Sequence, residues 1–359
     1  MGNLALLVLV NGSSTDPSST LRAHLQSEQK SFDLLSFWQG LLASNDEIGL
    51  PEKTSAFDGL AIDPEFSEIV VSVMIDNLFI ARPQHSGIRQ ASIVYEALAE
   101  GGITRLMLIF PYQELDRVGP VRSARDYFVD FAEEYGGLYL HAGGSPQALE
   151  KLYRSDRIID LDEDDRLTGD TYSFRDLDYH APHNLFFDLL SVRERAKSLE
   201  LKTQPALTNW CFSEQLPQPS QDINTLTIDF DHSLESDSTV QFRYDAELKR
   251  YLRFYGNGQA TPHIDHLEKL QVSPTNILVQ VAPSALIDGD EKERISLQNI
   301  GSGKAILYQA GGKTEGRWEK RNEEEATIYT DQQGNAFCLN PGQTWIAIVD
   351  GEDLVKETP

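Results

Sequence analysis

Residues 68–75 make an almost unbroken apolar run, Ile69-Val70-Val71-Ser72-Val73-Met74-Ile75 behind Glu68, and it is rich in β-branched side chains. Such a run predicts a strand covered on both faces, and Asp76-Asn77 then marks a loop at its carboxyl end. Residues 103–110 and 137–140 predict two further strands. Within 90–100, Ile93, Val94, Ala97 and Leu98 recur at helical spacing and predict a helix. Further helices are predicted at 121–135, after the Gly119-Pro120 turn, and at 182–199, burying Leu185, Phe186, Leu189 and Val192. Ser145-Pro146 has the form of an N-cap followed by proline at the first helical position. Leu21, Leu25, Phe32, Leu35, Trp38 and Leu42 fall mostly at three- and four-residue steps and predict an accessory helix or pair. Strands alternating with helices predict an α/β domain, a mixed sheet with flanking helices.

From residue 225 the pattern changes to short alternating runs, as in Val240-Gln241-Phe242-Arg243-Tyr244 and Tyr251-Leu252-Arg253-Phe254-Tyr255. Gly256-Asn257-Gly258, Gly301-Ser302-Gly303, Gly311-Gly312 and Gly334 punctuate them, which predicts a β-rich domain, sandwich or barrel. The expected organisation is a leader or tether at 1–20, a helical extension at 21–66, the α/β domain at 67–211, a Pro-containing linker at 212–224, the β-rich domain at 225–350 and a tail at 351–359.

Charge changes the functional picture. A net charge of −25 over 359 residues repels nucleic acid phosphates and acidic membrane faces, so no nucleic-acid partner is expected. Cys211 and Cys338 are either two buried thiols or one disulfide; two cysteines define no framework, and buried thiols are the simpler expectation. The apolar stretch from Leu4 to Val10 is too short to span a bilayer, and no Lys or Arg precedes it.

Against so acidic a background, arginines gathered at strand ends stand out. Arg122 and Arg125 follow Gly119-Pro120 three residues apart, as on one face of a helix start, and Arg105 and Arg82 lie near strand ends or in loops. Guanidinium groups offer planar, paired donors to phosphate or carboxylate, and a helix N-terminus adds backbone donors. The expected ligand-binding set is Arg82, Arg105, Arg122, Ser123, Arg125, Gly143, Gly144 and Asn184. The competing expectation is that each arginine pairs internally with Asp76, Glu96, Glu100 or Asp126. Candidate acid/base groups are Asp76, Glu96, His141 and His183, although His183 beside Pro182 also suits bracing a helix start. No cofactor is predicted, and the irregular His and acidic spacing marks no metal ligand set, although a divalent metal stays open. The run Asp160-Leu161-Asp162-Glu163-Asp164-Asp165 lacks the glycine and glutamate of a calcium loop and is expected to be a solvated acidic loop. Gly301-Ser302-Gly303-Lys304 lacks the rest of a P-loop and is expected to be a turn. Trp210, Trp318 and Trp345 are expected as core or half-buried packing.

Met74-Ile75-Asp76-Asn77, Ala81-Arg82-Pro83-Gln84, Ile93-Val94-Tyr95-Glu96, the stretch from Glu100 to Arg105 and that from Val118 to Arg125 follow one another in an order and spacing that resembles the YerB-type bacterial putative-lipoprotein family. The resemblance is not confined to these motifs. It continues through His141, Gly143-Gly144-Ser145, Phe174-Arg175, Pro182-His183-Asn184, Arg253-Phe254, His263 with Asp265, Trp318-Glu319-Lys320 and 342–349. It implies an N-terminal α/β domain, a C-terminal β-rich domain and display outside the cytoplasmic membrane, and it implies no particular activity. A lipoprotein would carry Cys where Asn11 or Gly12 stands, so membrane association is expected only through an anchor that the sequence as written lacks. The functional expectation is a cell-envelope protein binding a small anionic or glycan-derived ligand. The alternatives are an envelope enzyme acting on such a ligand, or a protein-docking scaffold with structural arginines and no identified partner.

Overall fold

A computed structural model describes residues 53–63, 69–163, 172–203, 206–208, 210–213, 223–232, 238–256 and 260–359. The expected leader, the 21–42 helix, most of the linker and the end of the acidic run lie outside these residues. In the first half the main elements are β1 (Val71–Asp76), β2 (Ile93–Leu98), β3 (Thr104–Phe110), α1 (Asp126–Glu133), β4 (Gly137–His141), α2 (Pro146–Arg154), β5 (Ile158–Asp162) and α3 (Leu189–Ser198). The second half supplies β6 (Thr225–Asp229), β7 (Thr239–Asp245), β8 (Arg250–Tyr255), β9 (Thr261–Pro262) and β10 (Asn276–Val281). It ends with β11 (Gly301–Gln309), β12 (Gly312–Lys320), β13 (Ile328–Asp331), β14 (Thr344–Val349) and β15 (Val355–Thr358).

Ten of these strands share one mixed sheet, in the order β13-β12-β11-β10-β14-β2-β3-β1-β4-β5. Its seam is β14 running parallel to β2, with Thr344 opposite Ile93 and Ile348 opposite Ala97, so strands from both halves of the chain meet in one hydrogen-bonded layer. A second, antiparallel sheet, β9-β8-β7-β6-β15, comes wholly from the second half. The fold is therefore a mixed α/β sheet with few helices in the first half and an antiparallel β-rich second half.

The period of two explains both cores. Along β1, Val71, Val73 and Ile75 face a cluster completed by Leu226, Ile228, Phe242 and Tyr251 of the second sheet and Leu189 and Val192 of α3. Met74 faces the opposite cluster, with Phe128 and Phe131 of α1 and Leu152 of α2. Full burial of side chains like these contributes about 1.5–3 kcal/mol each. α2 begins as expected: the Ser145 side chain accepts from Ala148 N–H (3.1 Å) and Pro146 occupies the first turn.

Four expectations about elements are corrected. Residues 93–98 form strand β2, not a helix. Ile93 and Ala97, like Val94 and Leu98, are four apart, a separation that keeps two side chains on one face in a strand as well as a helix. Tyr95 joins Ile93 and Ala97 in one cluster, while Val94 belongs to the other, as alternation in a two-faced strand requires. The helix expected from 121 begins only at Asp126, because 118–124 is extended. Residues 185–187 form a strand against Ser173–Arg175, and α3 starts at Leu189 with Asp188 as its cap, so His183 braces no helix start. Gly301 to Lys304 open strand β11 and are not a turn.

Cys211 and Cys338 are joined in a disulfide, contrary to the thiol expectation. Cys211–Phe212 runs parallel to Cys338–Leu339 in a register that sets the two cysteines opposite each other, Cα to Cα 4.4 Å. Thiol titration in denaturant without reductant is expected to find no free thiol, and two after reduction. Two reactive thiols before reduction would refute the bridge.

Candidate functional site

β1 and β4 run parallel but pair only where they begin, Val71 to Val73 against Leu138 to Leu140. Beyond this the strands part, and the extended segment 118–124 enters the opening. Arg122 N–H donates to Met74 O (3.0 Å) and Asp76 N–H to Pro120 O (2.9 Å), while Ala142 N–H donates to Arg122 O (3.2 Å). Gly119 permits this course: at φ +155° a Cβ there would meet Leu185 O at 2.7 Å. Carboxyl ends of strands that part, with the chain leaving to opposite sides, are where open α/β sheets hold ligands.

Asp76, the last residue of β1, is the hub. Its Oδ2 accepts from His183 Nδ1 at 2.6 Å and lies 3.0 Å from Arg122 Nε; its Oδ1 accepts from Leu78 N–H at 3.0 Å. The Arg122 contact is one of charge, since the Nε–H is not aligned on the carboxylate. Among the described residues, the terminal nitrogens of Arg122 and the Nε2 of His183 have no protein partner; the two side chains are 27% and 13% exposed. A carboxylate that fixes one imidazole nitrogen and leaves the other open is the arrangement of an oriented proton acceptor.

The other arginines are more fully engaged. Arg105 Nη2 pairs with Glu100 Oε1 (2.9 Å) and its Nη1 donates to Ser123 O (2.8 Å), so Ser123 contributes its carbonyl. Arg125 grips the same Glu100 through Nε (2.9 Å) and Nη2, and donates to Ala124 O. Burial raises the Glu100 carboxyl, but the two guanidiniums outweigh it and hold its pKa down at about 2. Burial and the adjacent Arg125 charge press the Arg105 pKa below its usual value. For Arg105 and Arg125 the internal pairing holds, and Arg125 does not share a helix face with Arg122. Arg82 lies beyond Asn77, its Nε donating to Asn77 O (3.0 Å) and its guanidinium 4.0 Å above the Tyr255 ring.

The remaining expected residues divide between support and burial. Gly143 O accepts from Ala124 N–H (2.9 Å) and Gly143 N–H donates to Asp162 Oδ1 (2.8 Å); Gly144 bridges to Ala124. Buried Asn184 donates to Asp176 O and Tyr179 O and so holds the loop that carries His183. His141 is buried between Gly143 O (2.9 Å) and Asp160 Oδ1 (2.5 Å). Both partners are acceptors and favour a protonated ring; burial works against that charge, but Asp160 outweighs it and raises the pKa. Glu96 lies fully buried and takes Arg253 Nη2 on both oxygens, at 2.8 and 3.0 Å. Neither His141 nor Glu96 is placed for acid/base work. Among the described residues no group of three His, Cys, Asp or Glu side chains is set to hold a metal ion.

Comparison with known families gives two matches along the chain. Residues 57–202 match the protein of unknown function (DUF3048) N-terminal domain and residues 228–346 its C-terminal domain. The chain belongs to the DUF3048 family. A curated relative in Bacillus subtilis (strain 168), named putative lipoprotein YerB, is 33% identical over 293 residues, covering 80% of this chain and 82% of that protein. The crystal structure of the YerB protein from Bacillus subtilis superposes with a TM-score of 0.72 at 27% identity, over 86% of this chain and 100% of that one.

Each matched half of the DUF3048 chain contributes to a buried network beneath the site that sequence reasoning did not assign. His85 Nε2 meets Asp76 O (2.6 Å), His85 Nδ1 meets His263 Nε2 (2.9 Å), and His263 Nδ1 meets Arg253 Nη1 (2.9 Å). Glu96 closes the chain, also accepting from Thr104 Oγ1 (2.8 Å), Asn77 Nδ2 (3.2 Å) and Trp345 Nε1 (3.0 Å). One signal was available: the alternation in β8 sets Arg253 on the same face as Tyr251 and Tyr255, which marks a buried, paired arginine.

Proposed function

We propose that the chain works outside the cytoplasmic membrane, at the cell envelope, and binds a small anionic ligand, phosphorylated, carboxylated or glycan-derived, at the carboxyl end of β1. The observation that carries this reading is Arg122: its backbone is fixed between β1 and β4, and its terminal nitrogens have no protein partner among the described residues. Such a guanidinium is pre-oriented for an oxyanion. The disulfide supports an oxidising location, as does the relative's name as a lipoprotein. Titration calorimetry with inorganic phosphate and citrate tests the reading. Arg122→Ala is expected to weaken binding about tenfold or more, the equivalent of one charge-assisted hydrogen bond pair. Equal affinity in the parent and the variant, or no binding to the parent, sinks it.

The open Nε2 of His183, oriented by Asp76, favours a second reading, an envelope enzyme that moves a proton on the bound ligand. Under that reading His183→Gln lowers turnover of an activated phosphate ester about 100-fold or more while leaving phosphate affinity near that of the parent. Absence of turnover in the parent removes this reading and leaves the binding one standing.

A further inference from the structure

We propose that the anion taken at Arg122 carries a hydroxyl beside its charged group, which places it among the 2-hydroxy carboxylates; this rests on Arg122 being the anion site. His183 is the residue that selects the hydroxyl.

The geometry starts at one oxygen. Asp76 Oδ2 accepts from His183 Nδ1 at 2.6 Å and lies 3.0 Å from Arg122 Nε. The open Nε2 of His183 is two covalent bonds beyond that Nδ1, and the open terminal nitrogens of Arg122 are two bonds beyond that Nε. Both groups therefore border the space next to a single carboxylate oxygen, within reach of one small ligand. Their backbones are held independently of any ligand. Arg122 is fixed between Met74 and Ala142, while His183 N–H donates to His180 O (3.0 Å) and Asn184 ties the same loop to Asp176 O and Tyr179 O.

The two groups ask for opposite partners. A guanidinium only donates, so Arg122 takes an oxygen with lone pairs to spare. His183 gives its Nδ1 proton to Asp76, so the neutral ring presents Nε2 as a bare acceptor. An anion made only of acceptors lays lone pairs against that nitrogen, and shutting water away from it unpaired costs affinity. A ligand hydroxyl removes the conflict by donating to Nε2.

Position narrows the class further. A phosphate monoester above its second ionisation, at about pH 6, presents three oxygens that only accept. A hydroxyl on the carbon next to a carboxylate is held beside it by the covalent frame, so donor and acceptors arrive together with little left to order. The 2-hydroxy carboxylates thus meet the demands of Arg122 and His183 in one compact unit.

Calorimetry on the full chain at pH 8, where every probe carboxyl is ionised, tests this with two pairs that differ by one hydroxyl: citrate against tricarballylate, and malate against succinate. The hydroxylated member of each pair is expected to bind about tenfold or more tightly. His183→Phe keeps a ring but no acceptor, and should bring the members of each pair to within about twofold of each other. Arg122→Ala should weaken all four probes. If the Phe variant does not fold, nitrogen-15 NMR of the parent's histidines takes its place: one unprotonated imidazole nitrogen should shift with malate and not with succinate. Equal or reversed affinities within the pairs, a preference that survives His183→Phe, or an imidazole that answers malate and succinate alike overturns the hydroxyl reading and leaves Arg122 as the anion site. Affinities unchanged by Arg122→Ala overturn both, as does the absence of binding by any probe.

Discussion

Arg253→Met is expected to lower stability by about 3–5 kcal/mol, the usual loss when one member of a buried ion pair is removed. Arg253 and Glu96 side chains are both completely buried, and Glu96 has no route to water once its partner is gone. Thr104, Asn77 and Trp345 would still donate to the carboxylate, but neutral donors do not replace a guanidinium on both oxygens. Glu96 sits on β2, Arg253 on β8 and Trp345 on β14, so the loss falls where the two halves are joined. Urea unfolding followed by circular dichroism measures it. The double variant Arg253→Met, Glu96→Gln should recover much of the loss, because no charge is then stranded. A single-variant loss below about 1 kcal/mol would mean that the pair is not the buried link it looks to be.

Legibility in the sequence followed the range of the interactions. β1, β3 and the Ser145 cap were readable because each depends on residues within a few positions. β2 was not, since Ile93, Val94, Ala97 and Leu98 satisfy both periods; its two neighbours, β3 and β14, decide between them, and Thr344 lies some 250 residues from Ile93. At the site, the Gly-Pro segment drew attention to Arg122, Arg105 and Arg125 together, and the structure separates them: Arg105 and Arg125 pair with Glu100, while Arg122 lies beside Asp76. The Cys211 to Cys338 bridge was beyond reach because nothing local sets two short strands in register. His85 and His263 look unremarkable one at a time, and only the fold makes them a pair.

That pair makes stability fall on mild acidification. Asp76 O can only accept, so His85 carries its proton on Nε2 and must accept on Nδ1; His263 then donates from Nε2 and accepts from Arg253 on Nδ1. The series runs one way, from Arg253 to Asp76, and a second proton on either ring would set two donors against each other. Burial lowers the His85 pKa to about 4, with the Arg82 and Arg253 charges adding to the effect and the Asp76 carbonyl opposing it; burial and Arg253 take His263 well below 6.5. Above pH 6.5 the rings are neutral folded or unfolded, and the stability is fully present. Between 6.5 and about 4 the unfolded chain binds protons that the folded chain refuses, so stability falls with pH, by about 3 kcal/mol for His85 alone. His141 has the opposite sign: its raised pKa gives stability below 6.5 that is lost as pH rises through the folded value. Asp130, Glu133 and Asp265, raised chiefly by burial, also work against a loss at low pH. Unfolding free energies of the parent and of His85→Gln at pH 7, 6, 5 and 4.5 separate these contributions, because only the His85 slope disappears in the variant. Parallel curves for the two proteins would show that His85 titrates normally in the fold and that the one-way series is not formed.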